Sequence, residues 1–137
     1  MRLWHKKLVP SLPRQQLLGQ WRECCCIASN IAKSGNPNHI LVNKVMNYSM
    51  NHFFTYTIQH VAHEMLVRGY NVDLDKFWKH FPNQNSYTTI PDNELYKDWH
   101  NERYFNQCYT NLEEKYDCGG ITEAEWTRIK VKFVKDY

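Results

Sequence analysis

The chain has 137 residues, a formal net charge of +3, 42% apolar and 15% aromatic residues, enough for one core and too little for two. No apolar run approaches the roughly 18 residues of a membrane span, and MRLWHKKLVP has no apolar centre of the kind a secretory signal needs. A cytoplasmic monomer is expected. The five Trp, nine Tyr and six Phe exceed what a small core needs, which predicts that some lie on a working surface.

Pro10 and Pro13 disfavour helix at residues 1–12, which read as an extended N-terminal arm. Pro13 then suits the first turn of a helix running to about Ala32. Leu17, Leu18, Trp21, Cys24, Cys25, Ala28, Ile31 and Ala32 recur at helical spacing as its apolar stripe. Gln15, Gln16, Gln20, Arg22, Glu23 and Asn30 are assigned to the opposite side. Gly19, in the middle of that polar side, weakens a helix by about 1 kcal/mol relative to Ala, so a close approach by the arm or by a nucleic-acid backbone is expected there.

Residues 33–38, KSGNPN, form a turn-rich break. A second helix is predicted over about Ser49–Arg68, with Met50, Phe54, Thr57, Ile58, Val61 and Met65 inward and Gly69 as its stop. A polar and aromatic loop follows from about His80 to Pro91. A third helix is predicted from near Asn101 to Tyr116, ended by Gly119-Gly120. Thr122 and Glu125 then form a capping box for a short last helix, with Trp126, Ile129 and Phe133 inward and Arg128, Lys130, Lys132 and Lys135 making it basic. The fold class is all-α: three main helices, a short C-terminal helix and an N-terminal arm, in one domain over residues 1–137.

Charge is unevenly placed. Residues 1–63 carry seven basic side chains and one acidic one, Glu23, whereas residues 64–137 carry 10 basic and 13 acidic ones. A basic surface with one embedded carboxylate suits a polyanion-binding protein with one proton-transferring group; a solvated ion pair with Arg22 is the plainer alternative. His60 and His63 do not follow the zincin order and have no specified third ligand. Consecutive Cys24, Cys25 and Cys26 point about 100° apart on a helix and cannot converge on a metal. Five cysteines and no export signal suggest reduced thiols. No metal or cofactor is expected. The α-amine is a further reactive group, because its ordinary pKa of roughly 7.7–8 leaves part of it neutral and nucleophilic. Such an amine can attack a sugar C1′ and give an imine that drives β-elimination.

The segment Leu12-Pro-Arg-Gln-Gln-Leu-Leu-Gly-Gln-Trp-Arg-Glu23 resembles the first helix of the pyrimidine-dimer DNA glycosylases, the family of the bacteriophage endonuclease V. Leu12, Gln15, Leu17, Arg22 and Glu23 match its pattern, and MRLWH looks like its small bacterial branch. Arg68-Gly69-Tyr70-Asn71-Val72 resembles a second family stretch, and His100-Asn101-Glu102-Arg103-Tyr104 through Leu112 is similar to a third helix. The resemblance implies a catalytic carboxylate at Glu23, DNA contacts at Gln15 and Arg22, and the N-terminal α-amine as nucleophile. Because Arg2 blocks removal of the initiator residue, that amine belongs to Met1. With Arg2, Lys6, Lys7 and Arg14 as further phosphate contacts, the expectation is a glycosylase and abasic-site lyase acting on double-stranded damaged DNA. The rival expectation is a non-catalytic DNA-binding protein that keeps the fold without the chemistry.

Overall fold

The computed structural model describes residues 1–136, with side chains described for residues 1–133, so the side chain of Lys135 lies outside the described residues. The molecule is all-α, with no strand among the described residues. No described helix is long and apolar enough to cross a membrane.

Helix α1 spans Arg14–Ser34, with Pro13 at its N-cap and Gly35 closing it at φ 82°. Its buried face is Leu17, Gln20, Trp21, Cys24, Ile27 and Ala28. Two assignments therefore change: Gln20 is buried, not on the polar side, and Ala32 is exposed. Both follow from a stripe centred on Cys24 and Ile27, which turns position 20 inward and position 32 outward.

The second helix crosses the middle of the molecule. It begins as α2 (Met50–Phe54), widens into a π-helix (Thr55–Ala62) and resumes as α3 (His63–Val67). Phe53, Phe54, Thr55, Tyr56 and Thr57 are all buried. At about 100° per residue, five successive buried positions enclose the helix completely, so an inner face alone does not describe it. Gly69 (φ 86°) stops the helix as expected, with Tyr70 N–H donating to Met65 O at 2.9 Å and Gly69 N–H to Leu66 O at 3.0 Å.

Short α4 (Asp75–Trp78), which the periodicity did not reveal, sets Phe77 into a cluster with Phe53, Phe54, Trp78 and Phe81. The expected loop after it is braced on the central helix, Ile90 N–H donating to Thr55 Oγ1 at 3.0 Å. Leu95, Tyr96, Trp99 and His100 then bury themselves in a series of turns. Helix α5 (Glu102–Asp117) is capped by Asn101, whose side chain accepts from Tyr104 N–H at 2.9 Å. The capping box of α6 (Glu123–Asp136) is present: Thr122 N–H donates to Glu125 Oε1 at 3.1 Å and Glu125 N–H to Thr122 Oγ1 at 3.2 Å. Trp126 and Ile129 are buried, and Phe133 is half-buried against Tyr109.

The aromatic excess has a different destination from the one expected. None of the described Phe, Trp or Tyr side chains is exposed; the large apolar side chains left in solvent are aliphatic, Ile40 foremost.

The arm is the least regular element and among the most buried. Leu3, Trp4, His5, Leu8, Val9 and Leu12 belong to the core. From Lys6 onward it is wound into turns and a short 3₁₀ helix, Val9–Ser11. Arg68 and Arg128 both donate to Pro10 O, at 3.1 and 2.9 Å, fixing the end of that turn. Burial lowers the His5 imidazole to about 4 and holds His100 well below the ordinary histidine range. Unfolded, both imidazoles would bind protons from about pH 6.5 downward; folded, they do not. The unfolded chain thus gains protons that the native chain lacks, and stability falls as pH drops from about 6.5 towards 4. Urea midpoints at pH 7, 6 and 5 should decline in that order, and a flat series would contradict the neutral burial of this pair.

Candidate active site

Extended backbone entering a core must find partners for its N–H and C=O groups outside regular structure. Residues 2–4 find them in side chains. Gln20, on the inner edge of α1, accepts from Trp4 N–H through Oε1 at 2.7 Å and donates through Nε2 to Arg2 O at 2.9 Å. That pairing fixes which way round the amide lies. The buried Tyr56 hydroxyl lies 2.6 Å from Trp4 O and 2.8 Å from Gln20 Oε1, and its single proton serves one of them at a time. Tyr104, on α5, donates to Leu3 O at 2.6 Å. Burial pushes both phenols above their ordinary range, which keeps them protonated as donors.

Glu23 lies one turn beyond Gln20 on α1. Its Oε2 accepts from Arg2 N–H at 3.4 Å and from Gln20 Nε2 at 3.2 Å. The carboxylate therefore meets the arm one residue from the α-amine of Met1, whose side chain packs half-buried on the core. Arg2 turns its guanidinium over the Trp4 ring, 5.3 Å from the centroid, and towards Cys108 Sγ at 3.8 Å. Arg2, Leu41, Tyr104 and Gln107 line a cavity of about 270 Å³ at this end of the arm.

The other expected site residues divide. Gln15 and Arg22 are exposed on α1, and the Arg22 guanidinium lies back towards Gly19, 3.7 Å from where a Cβ would stand. That is ordinary contact, and no arm atom comes within 4 Å, so the arm does not press on Gly19 as one expectation had it. Arg14 sits nine residues before Glu23, on the opposite face of α1, with its guanidinium 5.9 Å from the Tyr70 ring centroid. Lys6 donates its ammonium to Asp92 O and to Leu95 O, the latter at 2.6 Å, so its charge is spent on holding the turns before α5. Lys7 is exposed and borders a separate cleft with His60, Lys97, His100 and Lys132. The structure thus gathers Met1, Arg2 and Glu23 together, with Arg22 and Gln15 on the same helix, and assigns Lys6 and Arg14 elsewhere.

His60 pairs with Asp92 at 3.2 Å, and no cluster of three or more metal-ligating side chains occurs among the described residues. Cys24 is inert, its thiol pushed up by complete burial, and half-buried Cys25 is raised by the same cause to about 11.

A family model described as pyrimidine dimer DNA glycosylase matches residues 1–78, more than half of the chain, and so takes in the arm, α1, the central helix and α4. No curated protein and no solved structure gave a significant match.

Gln20 and Tyr56 were not singled out from the sequence, although together they fix the arm. Substituting Gln20→Leu keeps the volume approximately and leaves Trp4 N–H and Arg2 O without partners in a dry site. Urea denaturation should show a loss of about 2 kcal/mol or more, with Tyr56→Phe costing less because its ring is retained. An unchanged midpoint for Gln20→Leu would mean that the arm is held by apolar contacts alone.

Proposed function

Because the chain belongs to the pyrimidine dimer DNA glycosylase family, we propose that Met1 and Glu23 excise a damaged pyrimidine and then cut the strand. The observation that supports this reading is the Arg2–Glu23 contact, 3.4 Å from N to Oε2, which sets the carboxylate beside the start of the chain.

The neutral α-amine of Met1 attacks C1′ of a nucleotide within a cyclobutane dimer. A bond forms from nitrogen to C1′ as the bond from C1′ to the base breaks, the base leaving with the electron pair. Glu23 stabilises the positive charge that develops on the sugar and takes up the proton released by the amine. Opening of the sugar ring gives an imine between Met1 and C1′. Loss of a proton from C2′ then expels the 3′ phosphate, and water releases the enzyme. C1′ is hard to reach inside a stacked duplex, so the nucleotide or its partner must be turned out first.

Arg2, Arg22 and Gln15 are the contacts that this placement favours for the DNA backbone, with Lys7 further along. On this reading residues 1–137 work as one domain and as a monomer, without metal or cofactor, on double-stranded DNA in the cytoplasm.

Glu23→Gln keeps size and hydrogen bonding and removes the charge. Base release and strand cleavage on a dimer-containing duplex should fall by a factor on the order of 10² or more, while duplex binding is retained. Borohydride should link abasic DNA to the N-terminal peptide of the wild-type chain; a link to an internal lysine would overturn the assignment to Met1. Normal cleavage by Glu23→Gln would leave the carboxylate with only its hydrogen-bonding duty.

Binding should also weaken with salt. Arg22→Ala should reduce the slope of log affinity against log salt by about 0.9 and weaken damaged and undamaged duplex alike, because phosphate contacts carry no base readout. Fluorescence anisotropy across a KCl series measures both, and an unchanged slope would remove Arg22 from the phosphate set.

A further inference from the structure

Beside the arm, the connection between α1 and α2 exposes apolar side chains that the core does not use. Ile40 is 85% exposed, Leu41 49% and Met46 41%. Their exposure is built in, because the segment that presents them is tied down on both sides. Asn38 turns the chain at φ 58°. His39 N–H donates to Asn43 Oδ1 at 3.0 Å, and Leu41 N–H donates to His39 Nδ1 at 3.2 Å. His39 O accepts from Val42 N–H and Asn43 N–H, at 3.0 and 2.9 Å. Val42 and Val45 are fully buried and pin the tip to the core from beneath. A tip braced in this way holds its outward side chains in place before any partner arrives.

Its position relates it to the site. Leu41 shares the 270 Å³ cavity with Arg2, Tyr104 and Gln107, and the Arg2 backbone is the partner of Glu23. The surroundings are cationic: in residues 1–63 Glu23 is the lone acidic side chain against seven basic ones. An apolar point rimmed by positive charge, next to a carboxylate that needs access to C1′, suits a duplex whose phosphates are held at the rim and whose stacked bases receive the point. Proteins that distort DNA insert aliphatic side chains of this kind between base steps.

We propose that Ile40, with Leu41 behind it, is a wedge that enters the base stack beside the damaged pair and holds open the space left when a nucleotide is turned out. The proposal rests on the glycosylase reading above and adds the residues that distort the duplex. Ile40 acts through the DNA, as a positioning residue, and takes no part in bond making. Its apolar surface leaves water as it replaces the stacking lost on flipping, so its advantage is largest on an intact stack and smallest where no stack exists.

The test compares Ile40→Ala, Leu41→Ala and the conservative Ile40→Leu on two substrates: a duplex with one cyclobutane dimer, and a single-stranded oligonucleotide with one preformed abasic site. Cleavage of the dimer duplex by Ile40→Ala should fall about tenfold or more relative to its cleavage of the abasic single strand. Ile40→Leu should recover most of that loss. A 2-aminopurine placed beside the dimer should brighten on binding Glu23→Gln and brighten less when Ile40→Ala is added. Equal losses on the two substrates, or none on either with an active wild type, would overturn the wedge and leave the glycosylase reading standing. So would a dissociation of self-associated protein by Ile40→Ala in sedimentation with no change in dimer cleavage, because the tip would then be a surface for a second copy of the chain. A wild-type chain inert on both substrates would overturn the catalytic reading and the wedge together.

Discussion

The structure depends on the hydrogen bonds by which one buried side chain, Gln20, holds the backbone of an incoming arm. Without them, Trp4 N–H and Arg2 O would sit in a dry interior with nothing to replace water, and the arm would be better off in solvent. With them, an irregular segment becomes part of the core, and Leu3, Trp4, Leu8 and Val9 add their apolar surface to it. Tyr56 and Tyr104 extend the same arrangement from the central helix and from α5. The fold and the site are one construction here. The contacts that bury residues 3 and 4 also hold residue 2 against Glu23.

Most of the helical framework was legible in the sequence because its signals are local. Pro13, Gly35 and Gly69 punctuate helices as their backbone preferences require, and Asn101 and the Thr122–Glu125 pair cap theirs. Glu23 was legible for another reason, as the lone acidic side chain in a basic half. Gln20 was hidden because a glutamine on a helix reads as polar surface. Its spacing, three after Leu17 and four before Cys24, already placed it on the buried stripe. A polar residue at a core position was the signal. The central helix misled in the opposite way: a helix enclosed on all sides has no contrasting face, so Phe53 and Tyr56 gave no periodic clue. The turns carrying Leu95, Tyr96, Trp99 and His100 lack any repeat, and only tertiary packing buries them.

Charge was legible as a total and not as a map. The first 63 residues are basic, but proximity in sequence does not put those cations on one surface. Lys6 turns inward to two carbonyls and Arg14 lies half a turn of helix away from Glu23, whereas Arg22 stays beside the polar face. Two cations also work as scaffolding far from any ligand: Arg68 and Arg128 both bind the carbonyl of Pro10. The Arg-Gly stretch that resembles the family pattern therefore includes a residue whose contacts serve the arm and its turn.

The widened segment Thr55–Ala62 bears on how this chain can change over generations. It contains Tyr56, which holds the arm, and precedes Met65 and Arg68, which face the core and Pro10. Deleting one residue there would let the helix relax to ordinary pitch, but everything beyond the deletion would rotate by about 100°. Met65 would leave the core and Arg68 would lose its carbonyl. Gains and losses of single residues are thus barred from this stretch, even where individual side chains could be exchanged. Length variation belongs instead to the connections on either side of the helix.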